Sequence, residues 1–183
     1  MTVYLLKRIS RKRMNRQLIV FAGLPGTGKT TLARKLAKTL QAFLVRIDTI
    51  EQALISNTDP ATKLGPMGYI IAYCLASENL RLGASVVADC VNPVHATREA
   101  WREVAKSESA PIFEIEVICS NRLEHRERVE TRTTDIKDLR LPTWEEVVSR
   151  QYEPWNEEVL VIDTAKVSSD EAIQNILNSL HVG

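Results

Sequence analysis

The chain has 183 residues, 44% of them hydrophobic and 26% charged, which predicts one globular domain, or one with a small lid, and excludes a collagen-like or linker-dominated chain. No apolar run reaches the ~18 residues that a membrane-spanning helix needs. Cys74, Cys90 and Cys119 follow no disulfide or metal spacing, so free thiols in a reducing, cytoplasmic compartment are expected, with no membrane partner. The net charge of +1 hides an asymmetry: Lys7, Arg8, Arg11, Lys12, Arg13 and Arg16 all fall within residues 1–16, which hold no acid, so the remainder is mildly acidic. Such a body lacks the broad basic field that a long nucleic acid demands.

The arm 1–16 reads as a solvated basic extension, with nucleic acid or a membrane surface as its alternative partner. It has neither the apolar core nor the small-residue cleavage site of a secretory signal. Met14 stands directly before the first strand, which allows part of the arm to lie upstream of a second start. The body, 17–183, then opens on an apolar run over 17–22 followed at once by glycine, as expected of a parallel strand buried on both faces. Over 30–40, Leu32, Ala33, Leu36, Ala37 and Leu40 share one helical stripe. Residues 43–48 read as a second strand ending on Asp48, which would cap a short helix over 49–55. Over 64–82, Met67, Ile70, Ile71, Cys74 and Leu75 recur at helical spacing and predict an inward face, stopped by Gly83.

Residues 84–89 predict a third strand ending on Asp89, and 93–105 a helix with Ala100, Trp101, Val104 and Ala105 inward. A fourth strand follows over 111–119, then a highly charged helix over 121–131. Residues 131–141 have almost no apolar face and read as an exposed loop, so the lid is expected at about 121–141. A helix over 143–152 opens with the capping pattern Thr143-Trp144-Glu145-Glu146. A fifth strand over 159–162 and a closing helix over 170–180 complete an α/β pattern. Strands alternating with helices imply a parallel sheet covered on both faces, whose ligands bind at the carboxyl ends of the strands.

Three signals fall at those ends. Gly23-Leu24-Pro25-Gly26-Thr27-Gly28-Lys29-Thr30 fits G-x-x-x-x-G-K-S/T at every position, between a buried strand and an amphipathic helix. The glycines let successive N–H groups turn toward phosphate oxygens, and the helix N-terminus adds positive potential. Gly23, Pro25, Gly26, Thr27, Gly28, Lys29, Thr30 and Thr31 are thus candidate nucleotide-binding residues. Lys29, expected to be exposed in the loop, would reach the β- and γ-phosphates, and the Thr30 hydroxyl would coordinate Mg²⁺. Asp48, 19 residues after Lys29, faces the γ-phosphate as a candidate base. Asp89 is a second candidate Mg²⁺ residue.

The helix over 121–131 carries Arg122, Arg126 and Arg128, with Arg132 just beyond. Such a run suits a solvated face, yet arginines leading into a lid also stabilise a transferring phosphoryl group. Arg126, Arg128 and Arg132 are therefore candidates. For Asn92, substrate binding and a turn before Pro93 stand level. Tyr152, Pro154 and Trp155 read as packing more than as a pocket wall. No guanine-reading Asn/Thr-Lys-x-Asp motif occurs.

GLPGTGKTT after the first strand, R-I-D at the second, V-V-A-D-C-V-N at the third, the arginine-rich segment, and a late Y-E-P-W followed by V-I-D-T resemble small-molecule P-loop kinases. The group is that of kinases related to zeta toxins, chloramphenicol phosphotransferase, gluconate kinase and the kinase domain of phage polynucleotide kinase. The resemblance covers about residues 17–180. It implies an adenylate-kinase-like P-loop fold with strand order 2-3-1-4-5, ATP and Mg²⁺ as cofactors, and phosphoryl transfer to a hydroxyl. It makes Asp48 the general base, carries the lid arginines onto Arg126 and Arg132, and sets Thr164 and Ala165 beside adenine. The chain departs from each named kinase over 51–67, which faces the substrate. The expected partner is a small-molecule hydroxyl acceptor. A polynucleotide or nucleoside 5′-kinase is the alternative, and a nucleotide-binding switch or plain ATPase the alternative of another class.

Overall fold

The computed structural model describes residues 16–181. The arm predicted over 1–16 lies outside the described residues except Arg16. That guanidinium is tied to the body, donating to the Leu80 carbonyl at 3.1 Å and to the Glu108 carbonyl.

Five strands form one sheet: β1 (Leu18–Ala22), β2 (Phe43–Arg46), β3 (Val86–Asp89), β4 (Ile112–Ile118) and β5 (Leu160–Asp163). Their order is β2-β3-β1-β4-β5 and every pairing is parallel, as the resemblance implies. The central strand, β1, is wholly buried because both faces are covered. Alternation along it divides the core. Ile19 and Phe21 join Leu32 and Leu36 of α1 (Lys29–Leu40) and Ile173 and Ile176 of α7 (Ser169–His181). Leu18 and Val20 join Ala72, Ala76 and Leu80 of α3 (Met67–Arg81) and Trp101 and Ala105 of α4 (His95–Ser107). Completing the chain are α2 (Ile47–Asn57), α5 (Arg122–Thr131) and α6 (Trp144–Val148).

The second strand is shorter than its sequence predicts. It ends at Arg46, and α2 begins at Ile47, so Asp48 is neither a strand residue nor a cap but sits in the first helical turn. A carboxylate there meets the positive end of the helix dipole. On α3 the predicted face is also wrong. Gly68, Ala72, Ala76 and Leu80 are buried, while Met67, Ile70 and Leu75 are exposed and Cys74 faces solvent. Small side chains four apart let the helix approach the sheet and α2 closely, and hydrophobicity alone does not register that. Helix α6 covers only five residues, held by the expected capping box between Thr143 and Glu146.

The inward face of α4 includes a residue that apolar periodicity passes over. Arg98 is fully buried. It donates to the carbonyls of Asn92 (3.2 Å), Glu153 (2.6 Å) and Pro154 (3.0 Å), with its guanidinium 4.0 Å from the Trp155 ring centroid. This clamp holds the 152–155 segment as packing, and Tyr152 and Trp155 do not line the main cavity. Asn92 has φ of +49° and is fully buried, its N–H donated to the Tyr69 hydroxyl. Replacing Arg98 with Met keeps the apolar stem but leaves three carbonyls without their cation. A loss of about 3 kcal/mol of stability is expected, read from the urea midpoint.

Candidate active site

The loop between β1 and α1 is shaped by contacts that only glycine permits. Gly23 has φ of +130°, and an added Cβ would overlap the Val117 carbonyl oxygen on β4. Gly26 has φ of +85° and lies against the Val129 side chain of α5. The Thr27 hydroxyl donates to the Leu24 carbonyl at 2.9 Å, and Lys29 Nζ donates to the same oxygen at 2.8 Å. Lys29 is 7% exposed, not open to solvent as the sequence predicts. Burial pulls its pKa below the usual lysine value, and the charges of Asp89 and Asp48 oppose that pull.

Asp89, at the carboxyl end of β3, is 4% exposed. Burial pushes its pKa upward, while Lys29 and a hydrogen bond from the Thr30 hydroxyl hold it down. Its Oδ2 lies 3.6 Å from Arg46 Nε and accepts no hydrogen bond. Thr30 and Asp89 thus offer a hydroxyl and a carboxylate oxygen side by side, a donor pair suited to a hard cation. No cluster of three or more His, Cys, Asp or Glu occurs among the described residues, so a metal here would draw its other oxygens from phosphates and water.

These residues line one cavity of about 780 Å³ with Pro25, Gly26, Gly28, Thr31 and Asp48. Gly23 and Thr27 frame it from behind and do not line it. Helix α5 is docked on the loop. His125 Nε2 meets the Pro25 carbonyl at 2.8 Å, which needs the proton on Nε2, and the ring stands edge-on to Trp144. Arg128 donates to the Thr164 hydroxyl (2.7 Å) and carbonyl (3.1 Å), and that hydroxyl donates to the Thr27 carbonyl at 2.9 Å. One chain of bonds therefore joins the lid helix, the loop after β5 and the glycine loop. Ala165 does not line the cavity; Val167 and Ser168 do, beside Thr164.

The two arginines expected to act on phosphate part company. Arg132, just after α5, lines the cavity half-buried, its Nε without a hydrogen bond. Burial lowers its pKa and Asp48 opposes the shift. Arg126 is on the solvent side, paired with Glu130 one turn away at 2.8 Å, and is absent from the cavity wall. That placement follows from helix geometry, because 126 and 130 share a face that α5 turns away from the loop.

Sequence reasoning misses the lid's latch. Asp135 accepts from Arg46 at 2.9 Å and from Arg34 of α1, so the 132–142 segment is tied across the cavity mouth to two other elements. The pairing of residues 89 and 101 positions apart leaves no local signal.

The chain matches the family described as an AAA domain (AAA_33) over residues 18–154. It belongs to that family. Its fold is that of the P-loop kinases. The "Probable adenylyl-sulfate kinase" of Aeropyrum pernix is 29% identical over 109 residues, covering 56% of this chain and 59% of that protein's length. The Mycobacterium tuberculosis APS kinase CysC, solved with AMPPNP and APS, aligns with a TM-score of 0.70 at 17% identity, over 92% of this chain and 99% of that one. A gluconokinase from Sinorhizobium meliloti 1021 aligns with a TM-score of 0.63 at 17% identity, over 92% and 93%. These likenesses match the strand order of this AAA domain.

In this AAA domain the latch carries a pH signature. The guanidinium groups of Arg46 and Arg34 lower the Asp135 pKa from 3.8 to about 2. A carboxylate so depressed contributes its stabilisation above pH ~3.8 and loses it as pH falls toward ~2. The pair is exposed, so its contribution to global stability is small. The expected readout is local: Asp135→Asn speeds proteolytic cleavage within 132–142 at neutral pH, with little change in the melting temperature. Cleavage at the wild-type rate contradicts the latch.

Proposed function

We propose that the protein is an ATP- and Mg²⁺-dependent kinase that transfers the γ-phosphoryl group to a hydroxyl of a small molecule. The observation that supports this most is the company Lys29 keeps. One buried ammonium feels two carboxylates from different elements, Asp89 of β3 and Asp48 of α2, within a single cavity that an arginine-bearing lid overhangs. A phosphate-binding cation, an oxygen pair for a metal and a separate carboxylate on the acceptor side are the parts that phosphoryl transfer needs.

The loop amides and Lys29 bind the β- and γ-phosphates, Lys29 exchanging the Leu24 carbonyl for phosphate oxygens. Thr30 and Asp89 would hold Mg²⁺, which would supply positive charge to offset that of the phosphate oxygens. Arg128, Thr164, Val167 and Ser168 bound the nucleotide side. Asp48 accepts the hydroxyl proton as the acceptor oxygen attacks the γ-phosphorus. The bond from that phosphorus to the bridging oxygen breaks, and ADP leaves with the electron pair. Arg132 steadies charge on the group in flight. Closure of the lid excludes water and so favours the acceptor. Free thiols at Cys74, Cys90 and Cys119, and a described chain in which no helix is long and apolar enough to cross a membrane, support a cytoplasmic setting. A switch or plain ATPase gives Asp48 no acceptor to deprotonate, and the mildly acidic net charge of residues 17–183 disfavours a polynucleotide acceptor.

Two isosteric variants test the division of roles. Asp48→Asn keeps the helix turn and removes the base, so transfer falls ~10²–10⁴-fold with nucleotide affinity unchanged. Asp89→Asn weakens Mg²⁺·nucleotide binding as well as transfer. Single-turnover transfer measured beside nucleotide affinity separates the two. Full transfer by Asp48→Asn, or loss of nucleotide binding as severe as in Asp89→Asn, removes Asp48 from the role of base.

A further inference from the structure

The cavity holds six arginines, and they are not alike. Arg34 and Arg46 are paired with Asp135, Arg128 with Glu124 and Arg140 with Glu146. Arg132 and Arg150 have no ion pair or side-chain hydrogen bond among the described residues. Arg132 overhangs Asp48, on the side where phosphoryl transfer is proposed. Arg150 follows α6 and lines the same cavity with Glu51.

Glu51 is one helical turn after Asp48 on α2, so the two carboxylates share a face. Its side chain is seated on the backbone of Gly68, where an added Cβ would overlap the Glu51 Cγ. Burial and Asp48 push the Glu51 pKa upward, and Arg150 pulls it down. Yet among the described residues no nitrogen of Arg150 is within 4 Å of a carboxylate oxygen, whereas Arg34, Arg46, Arg128 and Arg140 have closed on theirs. A positive group and a negative group thus line one cavity with the candidate base and form no ion pair with each other. Charges held apart in this way leave room for a molecule that meets both.

We propose that this end of the cavity is an acceptor subsite for a hydroxy compound that also carries an oxyanion, a carboxylate or a phosphate, bound by Arg150, with Glu51 accepting a hydrogen bond from the hydroxyl-bearing part. This rests on the kinase reading and narrows it to a substrate class. Arginine suits the task because its planar fork binds either oxyanion through two N–H groups. Glu51, beside Asp48, orients the carbon chain so that one hydroxyl meets the base. A neutral polyol would satisfy Glu51 and leave Arg150 unmatched.

The test is calorimetric titration of matched compounds into the full chain saturated with Mg²⁺ and a non-hydrolysable ATP analogue. Gluconate and glucose 6-phosphate are set against glucose, and glycerate and glycerol 3-phosphate against glycerol. At least one charged compound should bind ~10-fold or more tightly than its neutral twin, since hydrogen bonds between charged groups are stronger than neutral ones. The carboxylate and phosphate arms tell which oxyanion fits. Arg150→Ala should abolish the preference, Arg150→Lys should restore part of it, and the analogue should bind all three proteins alike. Arg150 is exposed and its side chain has no bond to lose, so these variants should fold as the wild type does. Equal binding of charged and neutral twins, a preference that survives Arg150→Ala, or no binding by any charged compound overturns the proposal. Labelled-phosphate transfer to a neutral twin would leave the kinase reading standing while this one fell. Failure of the ATP analogue to bind would count against the kinase reading separately.

Discussion

A single ammonium group, nearly shut off from water, organises the catalytic end of this molecule. Burying a lysine charge is costly unless opposite charge and hydrogen bonds surround it. The chain meets that demand from three directions: the Leu24 carbonyl within the loop, Asp89 from β3 and Asp48 from α2. Each partner is positioned by a different part of the fold. The loop can curl onto Lys29 because Gly23 crosses the β4 backbone where no side chain fits. The charge of Asp89 acts on it because β3 lies beside β1 in the sheet, with Phe21 and Asp89 in register. The charge of Asp48 acts on it because α2 starts at the residue after the end of β2. The strand order is thus the means by which charges far apart in sequence share one small volume.

The lid obeys the same economy of contact. It is pinned at its helical end through His125 and Arg128, both of which grip backbone carbonyls of the glycine loop or the loop after β5. At its irregular end it depends on exposed ion pairs to Asp135. Exposed pairs are individually weak and open readily in water. The helical end is therefore the more firmly held of the two.

The sequence reveals those features whose cause is local. A buried strand running into a glycine loop and an amphipathic helix is written in consecutive residues, so the position of the phosphate loop is legible, as is the alternation that yields a parallel sheet. What is not legible depends on the partner. On α3, apolar Met67 and Ile70 face outward because the small residues Gly68, Ala72 and Ala76 allow closer packing than large ones would. Arg98 is hidden among hydrophobic neighbours because three distant carbonyls satisfy it. Arg126 and Arg132 are indistinguishable in a charged run, and only the docking of α5 turns one toward solvent and the other toward Asp48. The spacing of Asp48 from Lys29 is legible in the sequence, but the element that carries it is not, since a helix without a side-chain cap announces no beginning.

Whether this cleft moves a phosphoryl group to a small-molecule hydroxyl is read from the fate of the γ-phosphate. The purified protein is incubated with Mg²⁺ and γ-labelled ATP, with and without a small-molecule cell extract freed of protein, and the labelled products are separated. Label should pass into an organic phosphate ester only when the extract is present, with little released as inorganic phosphate. Label recovered solely as inorganic phosphate, at a rate indifferent to the extract, would contradict such transfer.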